Sequence, residues 1–536
     1  MVSWSLIIVG LISLGSIVAK YNPVVRIKNG TIEGTIMKSR KDREFASYRG
    51  IPYALPPLGE LRFEPPKPAA PWTKVLFAKK DPKICTQRDV FTNQEEVVGD
   101  EDCLYLNVYT PQISDPNLVS KQNIRYPVMI WFHGGGWLTG AGNFESFGPK
   151  FLLDHELILV TVNYRLGPLG FLSTEDLIIP GNQGMKDQAQ SIRWVRENIL
   201  EFGGDPNRVT IFGTSAGGAS VHYHMMSPLS KGLFHRGISQ SGTALSPWAL
   251  NKPGLAKKQA KKLAKLLECP TDDSKELLQC LRTKNHIDII ATDRAFQFLH
   301  NNDFLKYSIY GLFDGKLLKK LNEDFETIAP ISLLYEDFCP ENSIKNVTQQ
   351  IREFYLADRP IDESTRFDLI NMFTDPWISM PADNSLKYHL EFSSSPVYYC
   401  LFAYKGSSSL SKIFGDEKRD YGVCHVDEIQ YLFPIGEKLF KNTPMSNEDQ
   451  KMIDLMTSLW FNFANSGNPT PEISPQIPVK WKPVKTDSFE YLHIKNSNEV
   501  FMDENLWPKR IQFWKNLPCR KKLSIPDKTQ LLKNEF

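Results

Sequence analysis

The sequence predicts an α/β protein with a mostly parallel central sheet and helices on both of its faces. Three apolar, β-branched segments indicate buried strands, each beside glycines or a turn. They are residues 128–132, 157–164 and 208–212. Between the last two, Ile192, Val195 and Ile199 recur at helical spacing. Strands that are apolar on both faces and alternate with helices are typical of a covered parallel sheet, whose functional sites lie at the carboxyl ends of its strands.

Length and composition fit one large globular unit. The chain has 536 residues, of which 41% are hydrophobic and 23% charged, and its formal charge is +2. So small an excess creates no strong field that would favour nucleic acid or an anionic membrane. No repeat, low-complexity tract or linker divides the sequence, so we expect a single domain over residues 20–536.

The N-terminus predicts entry into the secretory pathway. Residues 1–19 contain an uncharged apolar run, Leu6 to Ala19, which is short for a membrane span and suits a cleaved signal peptide. An uncleaved anchor is the alternative, and no later segment is long and apolar enough to cross a bilayer. Asn29 and Asn346 begin glycan acceptor sequons, and eight cysteines fit an oxidising compartment. We therefore expect a secreted or lumenal glycoprotein without an integral membrane span.

The stretch "VTIFGTSAGGAS" predicts a nucleophilic serine. Its G-x-S-x-G pattern places Ser215 between a buried-type strand and a segment that can begin a helix. Such a strand-to-helix elbow holds the serine in a strained conformation, and Gly213 and Gly217 remove side chains that would clash across the turn. The hydroxyl then lies at a helix start, where the dipole and free N–H groups favour developing negative charge.

A second glycine cluster predicts donors for an oxyanion. The sequence "HGGG", residues 133–136, follows the first apolar strand, and such a loop commonly supplies backbone N–H groups to an acyl-transfer site. Gly135 and Gly136 are the candidates, because a backbone without side chains can approach a substrate closely, and Ala216 follows the nucleophile directly. Two tight turns that merely need glycine are the structural alternative.

Together with other motifs, these clusters resemble the type-B carboxylesterases, the family of cholinesterases and insect esterases. The further motifs are "EDCLYLNVYTP", "NYRLGPLGFL", "GNQGMKDQ" and "YGVCHVDEIQYLF", and the resemblance covers about residues 24–515. It implies the α/β-hydrolase fold and a serine carboxylesterase that hydrolyses lipophilic esters through an acyl-serine intermediate, with no metal or organic cofactor. It also implies the disulfides Cys85–Cys103 and Cys269–Cys280, pairs close enough in sequence to close modest loops.

His425 is the candidate general base. A serine hydroxyl needs a histidine to take its proton and a carboxylate to orient that imidazole. On this fold the chain order is serine, acid, histidine, which leaves too little room for the early histidines at 222, 224 and 235. His425 follows a strand-like segment and matches the catalytic histidine of the family.

The acid is the point at which this chain departs from the family. There it is usually a glutamate in a G-x-x-x-x-E-G segment, yet no Glu-Gly dipeptide occurs between Ser215 and His425. Compared with the family, a block that includes a sheet strand is missing near His300. The candidates to replace the acid are, in order, Asp303, Asp314 and Asp375, and for each of them a solvated loop carboxylate is the alternative.

Three explanations of this departure stay open from the sequence. Another carboxylate has taken over, the recorded sequence lacks an exon, or the chain is a variant with impaired chemistry. A smaller departure is Thr214, where the family commonly carries an acidic or amide residue. The rival to an esterase is a non-catalytic binding or adhesion protein on the same scaffold: the absent acid favours it, while Ser215, His425 and the glycine loop oppose it.

Overall fold

Three β-sheets and the helices that cover them make up the described part of the chain. The computed structural model describes residues 22–89, 94–113, 124–298, 315–414 and 418–519. Its strands are β1 Val24–Ile27, β2 Gly30–Glu33, β3 Thr35–Lys38, β4 Glu44–Pro52, β5 Leu76–Phe77, β6 Tyr105–Thr110, β7 Tyr126–Phe132, β8 Ile158–Val162, β9 Gly204–Thr214, β10 Arg236–Gln240, β11 Cys400–Phe402, β12 Glu490–Ile494 and β13 Val500–Glu504.

The α-helices lie mostly in the second half of the chain. They are α1 Phe144–Phe147, α2 Gly167–Phe171, α3 Gln183–Asn198, α4 Ala216–Met226, α5 Leu255–Leu266, α6 Ser274–Thr283, α7 His286–Ala291, α8 Asp293–Phe298, α9 Gly315–Glu323, α10 Phe325–Ser332, α11 Ile344–Leu356, α12 Arg366–Thr374, α13 Met380–Phe392, α14 Ser411–Phe414, α15 Ile435–Leu439, α16 Asn447–Ser466 and α17 Pro508–Asn516. One π-helical turn, Asp375–Ser379, separates α12 from α13.

The central sheet has seven strands in the order β10-β9-β7-β8-β6-β4-β3. Strands β10, β9, β7 and β8 run parallel, whereas β6, β4 and β3 join antiparallel. The sheet is therefore mixed, and its parallel half contains the three strands that the sequence predicts. In this half Phe132 lies opposite Gly213, so the two glycine clusters leave the sheet at the same edge.

Helices cover both faces of the sheet, as predicted. Because side chains alternate along a strand, β7 sends Val128 and Ile130 to one face and Met129 and Trp131 to the other. The first pair packs with residues of α3, and the second packs with residues of α16. All of β7 is buried, which explains why its sequence is continuously apolar.

The sheet ends abruptly at β10. Strand β10 pairs with β9 on one side, β11 pairs with β12, and among the described residues neither has a partner on its other side. Side chains of both strands, Ile238 and Phe402 among them, pack against the same apolar cluster as α16. The two free edges thus pack into one apolar cluster without a hydrogen bond between the two strands among the described residues, which fits the loss of a family strand between them.

Three disulfides are formed. Cys85–Cys103 and Cys269–Cys280 confirm the two predicted pairs, and Cys339–Cys519 is a third pair that the sequence did not indicate. Cys400 and Cys424 are free. Across the ranges that the structure describes, no helix is long and apolar enough to span a bilayer. The predicted signal peptide, residues 1–19, lies outside the described residues.

Candidate active site

Ser215 occupies a strained elbow between β9 and α4. Its backbone angles, φ 57° and ψ −123°, lie where residues with a side chain are rare, and it directly precedes the helix. A Cβ atom on Gly213 would lie 2.5 Å from the Phe132 carbonyl oxygen, and one on Gly217 would overlap that oxygen. The elbow therefore fits against β7 only because both positions are glycine.

The "HGGG" loop packs directly onto this elbow. A Cβ on Gly134 would lie 3.1 Å from the Ser215 Cβ, so the loop and the nucleophile are in contact. Gly135 and Gly136 have φ angles of 104° and 62°, which favour glycine. Within the described chain, the N–H groups of Gly135, Gly136 and Ala216 donate no hydrogen bond to protein. The three N–H groups that the sequence predicts as oxyanion donors are therefore not used by the protein itself.

His133 anchors the start of the glycine loop in the protein interior. Its buried ring stacks on Tyr164 at a centroid distance of 4.4 Å, and the Tyr164 hydroxyl donates to the His133 carbonyl oxygen at 2.7 Å. Burial lowers the pKa of His133 to about 4, so the ring is neutral at physiological pH. His133 is a packing residue that fixes the loop.

His425 lies in a loop just before the 3₁₀ turn Asp427–Tyr431. Solvent reaches the residue, yet surrounding protein atoms lower the pKa of His425 to about 4 because they desolvate the imidazolium. In the described ranges neither its ring nor the Ser215 hydroxyl makes a hydrogen bond. Neither the candidate nucleophile nor the candidate base is therefore engaged by another group of the described chain.

A buried carboxylate ties the histidine loop to the elbow. Glu428 Oε1 accepts hydrogen bonds from Thr214 Oγ1 at 2.8 Å and from Gln240 Nε2 at 2.9 Å. Trp460 Nε1 in turn donates to Gln240 Oε1 at 3.1 Å. Burial raises the pKa of Glu428, while the hydrogen bonds oppose that shift. Because Glu428 is three residues from His425 and Thr214 adjoins Ser215, this network holds the two segments together.

Glu428 is not among the residues that the sequence indicated for the site, and Thr214 stood out there only as a departure from the family. Two features of the sequence could have indicated this pair. Glu428 is a carboxylate three residues after His425, and Thr214 is a hydroxyl residue where the family commonly carries an acid or an amide. A threonine hydroxyl donates to a carboxylate, whereas a second carboxylate would repel it.

The structure leaves two of the three candidate acids untested. Asp303 and Asp314 lie outside the described residues. Asp375 is fully buried in the π-helical turn, where it pairs with Arg510 and accepts a hydrogen bond from the Tyr355 hydroxyl at 2.5 Å. Its carboxylate is occupied by Arg510 and Tyr355, and it makes no hydrogen bond to His425.

An elbow serine, a loop of free backbone N–H groups and a histidine on a neighbouring loop define a serine hydrolase of the α/β-hydrolase fold. The model of the carboxylesterase family matches this chain over residues 21–330 and 309–514. The carboxylic ester hydrolase of Bombus ignitus is 36% identical and covers 92% of this chain and 94% of its own length. Neuroligin-2 of Mus musculus is 31% identical over 94% of this chain and 69% of its own.

A solved structure agrees with these likenesses. The crystal structure of juvenile hormone esterase from Manduca sexta, with OTFP covalently attached, superposes with a TM-score of 0.78 at 25% identity, over 93% of this chain and 99% of that one. The chain belongs to the carboxylesterase family, and it is a carboxylic ester hydrolase.

We expect Gly217→Ala to lower the esterase rate by about 100-fold, because the new methyl group would overlap the Phe132 carbonyl and displace the nucleophile. Hydrolysis of p-nitrophenyl butyrate measures this loss. Gly232→Ala is the control for backbone strain without a clash, since a Cβ there meets nothing within 4 Å while its φ is 75°. Wild-type activity in Gly217→Ala would show that the elbow does not depend on this glycine.

We expect Thr214→Val to lower kcat about 10-fold with little change in KM, because a hydrogen bond to the buried Glu428 carboxylate is lost while substrate contacts stay. Steady-state kinetics with the same ester separate the two constants. Thr210→Val removes a hydroxyl from the same strand where it has no partner, and should leave kcat unchanged. Equal kcat values in both variants would refute a positioning role of Thr214.

Proposed function

We propose that Ser215 is the nucleophile and His425 the general base of this ester hydrolase. Ser215 Oγ attacks the ester carbonyl carbon while His425 takes its proton and passes it to the leaving alcohol. The N–H groups of Gly135, Gly136 and Ala216 receive the developing oxyanion, and water then hydrolyses the acyl-serine. The observation that carries this proposal is the strained Ser215 at the start of α4, beside three unused N–H donors.

We propose Asp303 as the acid that orients His425, with Asp314 as the next candidate. Both lie between Ser215 and His425 in the chain order that this fold requires, and Asp375 is already paired with Arg510. Loss of the orienting carboxylate costs on the order of 10⁴ in kcat in well-studied triads, so the chain without an acid would be a slow enzyme.

Small, uncharged, lipophilic esters are the proposed substrates. The Trp248 ring lies 3.0 Å from the position of a Cβ on Gly242, which adjoins the Ser215 carbonyl, and the Trp137 ring is 5.9 Å from Trp248. Trp137 is also held by a hydrogen bond to Ser220 Oγ. Apolar aromatic walls of this kind favour substrates that carry no charge.

Secretion is the proposed localisation, with a glycan on the exposed Asn346. The three disulfides support an oxidising compartment. The other predicted acceptor, Asn29, is buried and donates from Nδ2 to the Ala69 carbonyl oxygen at 2.8 Å, so a glycan there needs this side chain to turn outward.

A non-catalytic binding protein is the second candidate function. The free edges of β10 and β11, together with the likeness to neuroligin-2, favour it. The elbow and the unused N–H donors have no purpose in such a protein, which is why catalysis is the leading proposal.

We expect a fluorophosphonate probe to label the wild-type protein strongly, His425→Ala weakly and Ser215→Ala not at all, because the probe reacts only with an activated serine. Hydrolysis of p-nitrophenyl esters is measured on the same proteins. Asp303→Asn should lower kcat on the order of 10⁴-fold. The exposed Asp288→Asn is the matched control and should not change it.

The outcomes of this experiment separate the candidates. No labelling and no hydrolysis above the Ser215→Ala background would reject catalysis by this chain in favour of binding. Full activity in Asp303→Asn and loss in Asp314→Asn would move the acid to Asp314. Equal activity in both, with wild-type turnover, would reject both candidates, and sequencing the transcript across the codons of residues 290–310 would then show whether a block is missing.

We expect the ascending limb of the kcat/KM pH profile to shift to lower pH in Asp303→Asn. The described surroundings alone lower the pKa of His425 to about 4, whereas a neighbouring carboxylate stabilises the imidazolium and raises that pKa. A base works when deprotonated, so activity rises with pH through its pKa. Identical midpoints in wild-type and variant would show that Asp303 does not face His425.

A further inference from the structure

Helix α5 carries an unusual concentration of positive charge. Its sequence, LAKKQAKKLAKL, contains five lysines and no acidic residue. Lys257, Lys261 and Lys265 follow one another at four-residue intervals and share one face, and Lys258 lies beside them. The opposite face buries Ala260, Leu263 and Ala264 in the protein. The helix is therefore fixed to the domain by one side and presents lysines on the other.

Most of this charge is not neutralised by the protein. Lys257, Lys258 and Lys265 are exposed and form no ion pair within the described ranges. Lys261 lies 3.5 Å from Asp272, whose side chain is almost wholly exposed, and Lys262 turns inward to the Ala295 carbonyl oxygen and the Phe296 ring. The overall charge of the chain is only +2, so the composition does not reveal this local cluster of positive charge.

The nearest carboxylate at the start of α5 is used inside the protein. Glu175 accepts from the backbone N–H groups of Gly254 and Ala256, at 2.7 and 3.0 Å, and so caps the helix. Its charge stabilises the positive end of the helix dipole rather than pairing with the lysines. The same contact fixes the loop of Glu175 against the beginning of α5.

Exposed leucines border the lysines. Leu177, two residues after Glu175, is 95% exposed, Leu250, shortly before the helix, is 61% exposed, and Leu266, its last residue, is 43% exposed. Bare leucines gain nothing from water or from a hydrophilic polyanion. A lipid interface offers phosphate groups to the lysines and acyl chains to the leucines.

We propose that the face formed by Leu177, Leu250 and α5 docks on an anionic phospholipid bilayer. The lysines contact headgroup phosphates while the leucines enter the headgroup boundary. Leu250 follows Trp248 by two residues, and Trp248 lies against the segment that adjoins Ser215. The docking face is therefore connected through Trp248 to the segment packed beside Ser215, and it contacts a surface in which lipophilic esters concentrate. The binding itself does not depend on hydrolysis.

The test is co-sedimentation of the purified protein with phosphatidylcholine vesicles, with and without phosphatidylserine. We expect binding only to the anionic vesicles, and binding on the order of 100-fold weaker when Lys257, Lys258 and Lys265 are all changed to Gln. The matched control changes Lys441, Lys480 and Lys485 to Gln, three exposed lysines elsewhere, and should bind like wild-type.

A second variant distinguishes a bilayer from a polyanion. Leu177→Ser with Leu250→Ser keeps every lysine and should weaken vesicle binding while retention on a heparin column stays the same. Unchanged vesicle binding in this variant would show a purely electrostatic surface and overturn the bilayer. Absent binding of the wild-type protein, or equal losses in the two lysine triples, would also overturn the proposal, whatever the esterase assay shows.

Discussion

The close approach of the Ser215 elbow to β7 is the constraint on which the site depends. Gly213 and Gly217 both lie against the carbonyl oxygen of Phe132. Gly134, two residues after Phe132, lies against the Ser215 side chain. Any side chain at these positions would separate β7 from β9, which are neighbours in the sheet. The positions of Ser215, the glycine loop and the two central strands therefore depend on the same contacts, so a change in one of them displaces the others.

The histidine is attached to this unit in a different way. It belongs to the second half of the chain, beyond the break between β10 and β11, and in the part of the chain that the structure describes no strand pairing joins it to the serine. The Glu428 network and the packing of α16 under both sheet edges provide the connection instead. Hydrogen bonds between side chains thus hold the histidine loop near the serine, a task that a continuous sheet performs in other α/β proteins.

What the sequence could predict follows from how local each feature is. The elbow, the glycine loop and the strands of β7, β8 and β9 are determined by residues within a few positions, so pattern and turn chemistry suffice. The two short-range disulfides were implied by resemblance, and their loops are short. Cys339–Cys519 joins positions 180 residues apart, and only the packing of α17 beside α10 and α11 brings them together. The Thr214–Glu428 bond is equally non-local.

The elbow and the glycine loop are formed although, among the described residues, the sheet is interrupted between β10 and β11. The strand expected from the family would lie between β10 and β11, whereas the elbow lies at the end of β9, on the inner side of β10. The contact between β7 and β9 is formed although β10 has no partner on its other side among the described residues. The geometry of Ser215 and of the glycine loop is therefore set by the contact between β7 and β9, and it does not require a strand that joins β10 to β11.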